Sequence, residues 1–244
     1  MPPTPRRGRL PRAARPVRRA LSLSVIVDAA LAIIDAEGLD ALTMRRVAEE
    51  LGTGPASLYA HVANKDEMVA AALDRVTGEI PVPAEIDPSR WQEQFAELFR
   101  SAREVFTRHG DIARASLGVV PTGEHTLTLA NTMLGLLLAG GVPDRVAALS
   151  VDLFALYLGA SAFEESMEAL GSPGSAAEPD FHAELHGFFS NLPAERFPHL
   201  VAMAEPLTTG NRDERFDFGL DLLIRGIEST IVTGKSAHSR NKHQ

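Results

Sequence analysis

An all-α chain in two helical parts is what this sequence predicts, and three observations carry the prediction. Apolar residues recur at three- and four-residue spacing in one segment after another. No stretch of alternating apolar and polar residues reads as a strand, and there is no internal repeat. Gly or Pro punctuates most of the periodic runs. The expected organisation is a basic disordered arm over 1–20, a helix-turn-helix unit over 21–79, a larger helical domain over 88–234 and a disordered tail over 235–244.

In chain order, the first helix spans about Ser24 to Glu37, with Ile26, Ala29, Ala30, Ile33 and Ile34 on one face and Gly38 as its stop. Thr43 then caps a helix whose apolar face is Met44, Val47, Ala48 and Leu51, ended by Gly52. Gly54-Pro55 starts the next helix, about Pro55 to Val62, with proline at its first position. Two helices across a glycine-containing turn make a helix-turn-helix, whose second helix enters the DNA major groove. Asn64 caps a fourth helix running to about Glu79, with Asp66 and Glu67 at its positive end.

Pro81, Pro83 and Pro88 mark the boundary between the two parts. Beyond it, Trp91, Phe95, Leu98, Phe99, Ala102 and Phe106 form a full amphipathic stripe. A short helix over Asp111–Leu117 is followed by a Pro121–Gly123 turn and a helix over Glu124–Ala139. The segment Pro143–Met167 is apolar nearly all round, so it needs partners on two sides: its own core and a second subunit. Gly171–Pro179 reads as a mobile loop, Phe181, Leu185, Phe188 and Phe189 as a shorter helix, and Asp213–Val232 as the last. The excess of apolar residues on the two long helices, with Gly159, Ala160 and Ser161 permitting close approach, predicts a homodimer.

Composition narrows the function. A chain of 244 residues with 45% apolar content can bury a sizeable core. No apolar run approaches the roughly 20 residues that cross a bilayer; the richest stretch, Val146–Phe163, is interrupted by Asp152 and several small or polar residues. Residues 1–20 lack an apolar h-region, and the absence of cysteine excludes disulfides, a thiol nucleophile and Cys-ligated metal sites. A cytoplasmic protein with no membrane partner is expected. The net charge of −8 is unevenly spread, with seven arginines and no acid in residues 1–20 and an acidic body after them.

At the residues Thr43-Met44-Arg45-Arg46-Val47-Ala48-Glu49-Glu50-Leu51-Gly52, Leu58-Tyr59-Ala60-His61-Val62 and Asn64-Lys65, the chain resembles the DNA-binding domain of the TetR family of bacterial repressors. The stretches His109–Thr122, Leu156–Ser166 and Arg215–Glu228 are similar to the ligand-binding domain of that family's tetracycline-repressor branch. The resemblance implies a ligand-responsive repressor that binds a palindromic operator as a dimer and is released by a small effector. It places Arg45 where a guanidinium reads guanine, and Thr43, Tyr59, His61 and Lys65 where phosphates are held. Pro55, Ala56 and Ser57, in the first turn of the recognition helix, are nearest the base edges. They offer apolar contact and one short hydrogen bond, so DNA shape carries part of the recognition.

The candidate ligand-binding residues are Phe99, Phe106, Ser116, Met133, Phe154, Tyr157 and Glu164, in a bundle whose many aromatics suit a largely apolar effector. Ser116 stands where the resemblance implies a magnesium-chelating histidine, so no metal or cofactor is expected. His182-Ala183-Glu184-Leu185-His186 has its glutamate at the wrong position for a zinc-protease helix, and a bare metal site there would need a third ligand. The chain lacks G-x-S-x-G, a P-loop and a strand-borne G-x-G-x-x-G, so no enzyme is expected. The alternative class is an α-helical binding protein or enzyme whose helix-turn-helix is coincidental.

Overall fold

The computed structural model describes residues 20–109, 111–116, 122–169 and 181–240, with backbone alone for 116, 167–169 and 232–240. The arginine-rich segment before residue 20, Val119 to Pro121 and the Gly171–Pro179 segment lie outside the described residues. Among the described residues there are helices and no strand, as predicted.

Helix α1 (Leu23–Glu37) is capped by Ser22, whose Oγ accepts the Val25 N–H at 3.3 Å. A 310 turn at Leu39–Ala41, which periodicity does not reveal in so short a span, leads to α2 (Met44–Glu50). Thr43 caps α2 by accepting the Arg46 N–H at 3.0 Å. Gly52 then adopts φ of +61°, a left-handed conformation that glycine takes without strain. Helix α3 (Pro55–Leu58) is shorter than expected. Past Leu58 the N–H groups of His61 and Val62 share the Leu58 carbonyl, at 2.8 and 3.0 Å, so the chain keeps coiling without a regular α ladder. Leu58 and Val62 anchor this turn in the core.

Helix α4 (Lys65–Thr77) starts at Asn64, which accepts the Glu67 N–H at 2.8 Å while Glu67 reaches back to the Ala63 N–H. It packs along α1, with Met68, Ala72 and Val76 buried against Ile26, Ala30, Ile33 and Ile34 in one continuous core. The expected stripe of α5 (Trp91–Arg108) is buried throughout. Its Phe95 and Phe99 rings cluster with Phe154, at centroid separations of 4.6 to 5.0 Å. Short α6 (Ile112–Ser116) touches α4 and α8. Helix α7 (Glu124–Ala139) has the predicted bounds, and α8 (Asp144–Ala169) packs on α5, α6 and α7.

Helix α9 (Phe181–Ser190) is followed by two short helices that the sequence reading missed, α10 (Pro198–Ala202) and α11 (Ala204–Thr208). Five residues carry too little periodicity to register. These three pack on one another. Helix α12 (Arg212–Arg240) runs eight residues past the expected end at Val232, into the span read as a disordered tail. Past Val232 only the lone Gly234 interrupts, with no proline, and a single glycine costs a helix about 1 kcal/mol without ending it.

One expectation is corrected. Residues 144–166 are long and apolar enough, by length and composition, to cross a bilayer. Only 33% of the most apolar window there is buried, and Leu149, Leu153 and Leu156 leave an exposed apolar stripe on α8. Phe218 (67% exposed) and Leu222 form a similar stripe on α12.

The start of α7 is capped from another helix. Its N-cap residue, Gly123, has no side chain, and Asp74 of α4 takes over: Oδ1 accepts the Thr126 N–H at 2.9 Å and the Thr126 hydroxyl at 2.8 Å. A Cβ on Gly123 would lie 2.1 Å from the Asp74 carboxyl carbon. Gly123→Ala must therefore expel Asp74 and lose the cap. A loss of about 1–3 kcal/mol in urea unfolding is expected. The control, Gly187→Ala on α9 with open space around it, should be neutral or gain up to about 1 kcal/mol.

Candidate nucleic-acid interface and ligand cavity

Val47, Ala48, Leu58 and Val62 bury one side of the α2–α3 unit, and the side chains that could meet DNA lie on the other. Thr43, Arg45, Pro55, Ala56, Ser57, Tyr59 and His61 are all exposed, the Tyr59 ring by 57%. The two adjacent arginines have different surroundings. Arg46 bridges Glu37 at 2.6 Å and Glu50 at 2.9 Å, tying α2 to the end of α1, and these partners push its pKa further up. The Arg45 side chain is 84% exposed and meets Glu49 one turn on, at 2.8 Å. A solvated pair of that kind is worth little and exchanges readily for a stronger acceptor. Arg45 is thus the arginine able to reach out.

Lys65 differs from the expectation of a free phosphate-binding group. It is half-buried, and Nζ donates to the Leu39 carbonyl at 3.2 Å, which leaves further ammonium protons for a second acceptor. The same residue, Leu39, is held by its other backbone group. Buried Asp111, just before α6, accepts the Leu39 N–H through Oδ2 at 2.8 Å. Arg114 of α6 approaches Asp111 at 3.5 Å and Asp40 at 2.5 Å, and its guanidinium holds the Asp40 carboxyl below the usual carboxylate range. Nearby, His109 lies between Glu79 at 3.2 Å and Asp35 at 3.5 Å. The region from His109 to Arg114 therefore grips the helix-turn-helix unit at its 310 turn, at the end of α1 and just past α4.

A cavity of about 120 Å3 lies between α4, α5, α7 and α8. Leu98, Phe99, Ala102 and Phe106 line it from α5, and Thr126, Leu129 and Met133 from α7. Ala155, Leu158 and Gly159 close it from α8, and Leu73 and Thr77 from α4. Of the seven ligand-binding candidates, Phe99, Phe106 and Met133 meet here. Phe154 stands behind Phe99, 4.7 Å from it, as core. Tyr157 faces α12: its ring stacks on Phe216 at 5.4 Å and its hydroxyl donates to the Phe216 carbonyl at 2.9 Å, while burial pushes its pKa up. Glu164 is exposed and pairs with Arg215 at 3.3 Å, and with Tyr157 it borders a separate polar cleft. Ser116 ends α6, but its side chain lies outside what the structure describes.

Sequence reasoning missed Leu73, Thr77 and Asp74, since α4 was assigned wholly to the other half. The Asp111–Leu117 helix is expected from the sequence to couple to the fourth helix, and α6 does pack on α4, but the particular bonds of Asp111 to Leu39 and Arg114 to Asp40 are not legible from spacing. Neighbouring Glu165 is buried and committed to Arg103 and to the Thr107 hydroxyl, the latter at 2.6 Å. Among the described residues no group of three His or acidic side chains is placed to hold a metal, and His182 and His186 are both exposed.

Comparison with known proteins covers both halves. Residues 26–72 match the family described as bacterial regulatory proteins, tetR family, and residues 83–231 match the tetracyclin repressor-like C-terminal domain. The HTH-type transcriptional repressor DrrR1 of Streptomyces coeruleorubidus is 29% identical over 234 residues, covering 94% of this chain and 86% of that protein. The class D tetracycline repressor of Escherichia coli is 26% identical over 215 residues, 87% of this chain and 91% of the repressor. Apo ActR from Streptomyces coelicolor superposes with a TM-score of 0.80 at 41% identity, covering 88% of this chain and 99% of ActR. ActR in complex with actinorhodin superposes with a TM-score of 0.77 at 43% identity, over 85% and 95% of the two chains.

Proposed function

This chain belongs to the tetR family of bacterial regulatory proteins, and from that premise we propose how it works as a ligand-responsive DNA-binding repressor. The observation that carries the proposal is the position of α4, which begins beside the recognition helix and ends in the wall of the apolar cavity. In this reading α3 enters the major groove with Pro55, Ala56 and Ser57 toward the bases. Arg45 reads a guanine, and Thr43, Tyr59, His61 and Lys65 hold phosphates. Two copies join through the exposed stripes of α8 and α12, so that their recognition helices meet the two halves of a palindromic operator in the cytoplasm. The effector is a small, largely apolar molecule in the cavity, bound without a metal. The likeness to ActR, solved with actinorhodin bound, supports a ligand-responsive role.

An effector weakens operator binding only by favouring an arrangement of α4 that misplaces α3. Leu73 and Thr77 feel the ligand directly, and Asp74 between them ties α4 to the start of α7. Release through α4 needs no contact between the effector and the DNA-binding residues.

A gel shift with the DNA upstream of the chain's own gene tests the reading, and failure to bind that DNA or any palindromic site would reject it. Arg45→Ala should relax preference at one base pair by about 1–3 kcal/mol. Lys65→Ala should weaken binding to all sequences and flatten the salt dependence by about one unit of slope. Light scattering at micromolar concentration should return twice the 26.2 kDa chain mass, and Leu153→Glu on the α8 stripe should return the monomer. Once an effector is in hand, the factor by which it weakens operator binding must equal the factor by which operator weakens effector binding, measured by titration in both orders.

A further inference from the structure

Among the described residues, the cavity between α4, α5, α7 and α8 is lined by no charged side chain, and the lining residues with polar side chains are Thr77 and Thr126. Each hydroxyl has a single proton, and in both the acceptor is fixed. Thr77 Oγ1 lies 2.8 Å from the Leu73 carbonyl oxygen, which can only accept. Thr126 Oγ1 lies 2.8 Å from Asp74 Oδ1, an oxygen that also takes the Thr126 N–H at 2.9 Å and is thereby an acceptor too. With both protons spent, the hydroxyls offer only lone pairs to a molecule in the cavity. The rest of the wall is aliphatic and aromatic, with Phe99, Phe106 and Met133 its bulkiest members.

We propose that this cavity selects a neutral, ring-sized molecule bearing an O–H or N–H donor, a phenol or arylamine, with Thr77 and Thr126 as the acceptors that set the preference. The proposal rests on the reading of the cavity as the effector site and narrows that effector's chemistry. A ketone, quinone or aldehyde oxygen turned to the threonines would set lone pair against lone pair and lose its bond to water without replacement. A carboxylate would lose its hydration with no cation in the wall to compensate. The size follows from the volume: about 120 Å3 is close to the roughly 150 Å3 of an engineered apolar cavity that holds benzene. Thr126 of α7 also belongs to the cap that joins α7 to α4, so the group that recognises the donor is hydrogen-bonded to the element whose position matters for DNA.

Titration calorimetry on the full-length, DNA-free protein tests this with four para-substituted rings of similar size: p-cresol, p-xylene, p-tolualdehyde and p-toluate. p-Cresol should bind about tenfold tighter than p-tolualdehyde, with p-toluate weaker still. Thr77→Val and Thr126→Val keep the shape and remove an acceptor. At least one should lower the ratio of p-cresol to p-xylene affinity by about three- to tenfold. Thr77→Ser, which keeps the oxygen, should retain the parent ratio and serves as the folding control. Equal binding of the cresol and the aldehyde, or an unchanged ratio in both valine variants, would overturn the proposal. So would failure of all four rings to bind a protein that still shifts operator DNA. That last outcome leaves the DNA-binding reading standing, so the two can fail separately.

Discussion

Helix α4 is buried on more than one side, and the rest of the structure depends on that. Met68, Ala72 and Val76 lie in the core of the DNA-binding unit, where α4 packs along α1, while Leu73 and Thr77 close a cavity of the larger domain. A shift of the α4 wall of the cavity therefore moves a helix that also packs along α1 in the DNA-binding unit. Interiors packed to crystal-like density transmit such displacements because they have few alternative packings. The two halves of this chain share α4, which contributes to both although it lies before the boundary marked by the three prolines.

Charge is divided between two uses. Arg46, Arg103 and Arg114 each satisfy two carboxylates and hold elements together. Arg45 and the small or polar side chains around Tyr59 remain in solvent, which suits contacts made and broken with a polyanion. Adjacent positions in α2 thus have opposite fates because successive helical residues point about 100° apart: one faces Glu37, the other faces water.

The helices were legible in the sequence wherever a long apolar stripe ended at a capping residue. Helix α7 agrees to the residue because Gly123 and Gly140 flank it, and α4 starts where expected because Asn64 caps it, though it ends two residues early at Thr77. Where the stripe was too short, at the 310 turn, α10 and α11, nothing in the spacing distinguished a helix from a loop. The ligand cavity was only half legible for a related reason. Periodicity says that a residue is buried on a face, but not which neighbour that face meets. Phe99, Phe106 and Met133 could be named from it, while Tyr157, on a helix apolar nearly all round, turned to Phe216 of α12. Leu73 and Thr77 escaped notice because a helix assigned to one domain was not searched for the wall of another.

Leu39 is held at its N–H by an anion from beside α6 and at its carbonyl, in the next peptide unit, by the ammonium that starts α4. Each charge meets the oppositely polarised end of its own peptide dipole, so both backbone groups at the start of the 310 turn have a charged partner. That makes the Leu39 amide a natural gauge of how the two halves sit on each other. Its proton can exchange with solvent only when Asp111 lets go, and its exchange rate therefore measures how often the joint between the DNA-binding unit and the larger domain opens.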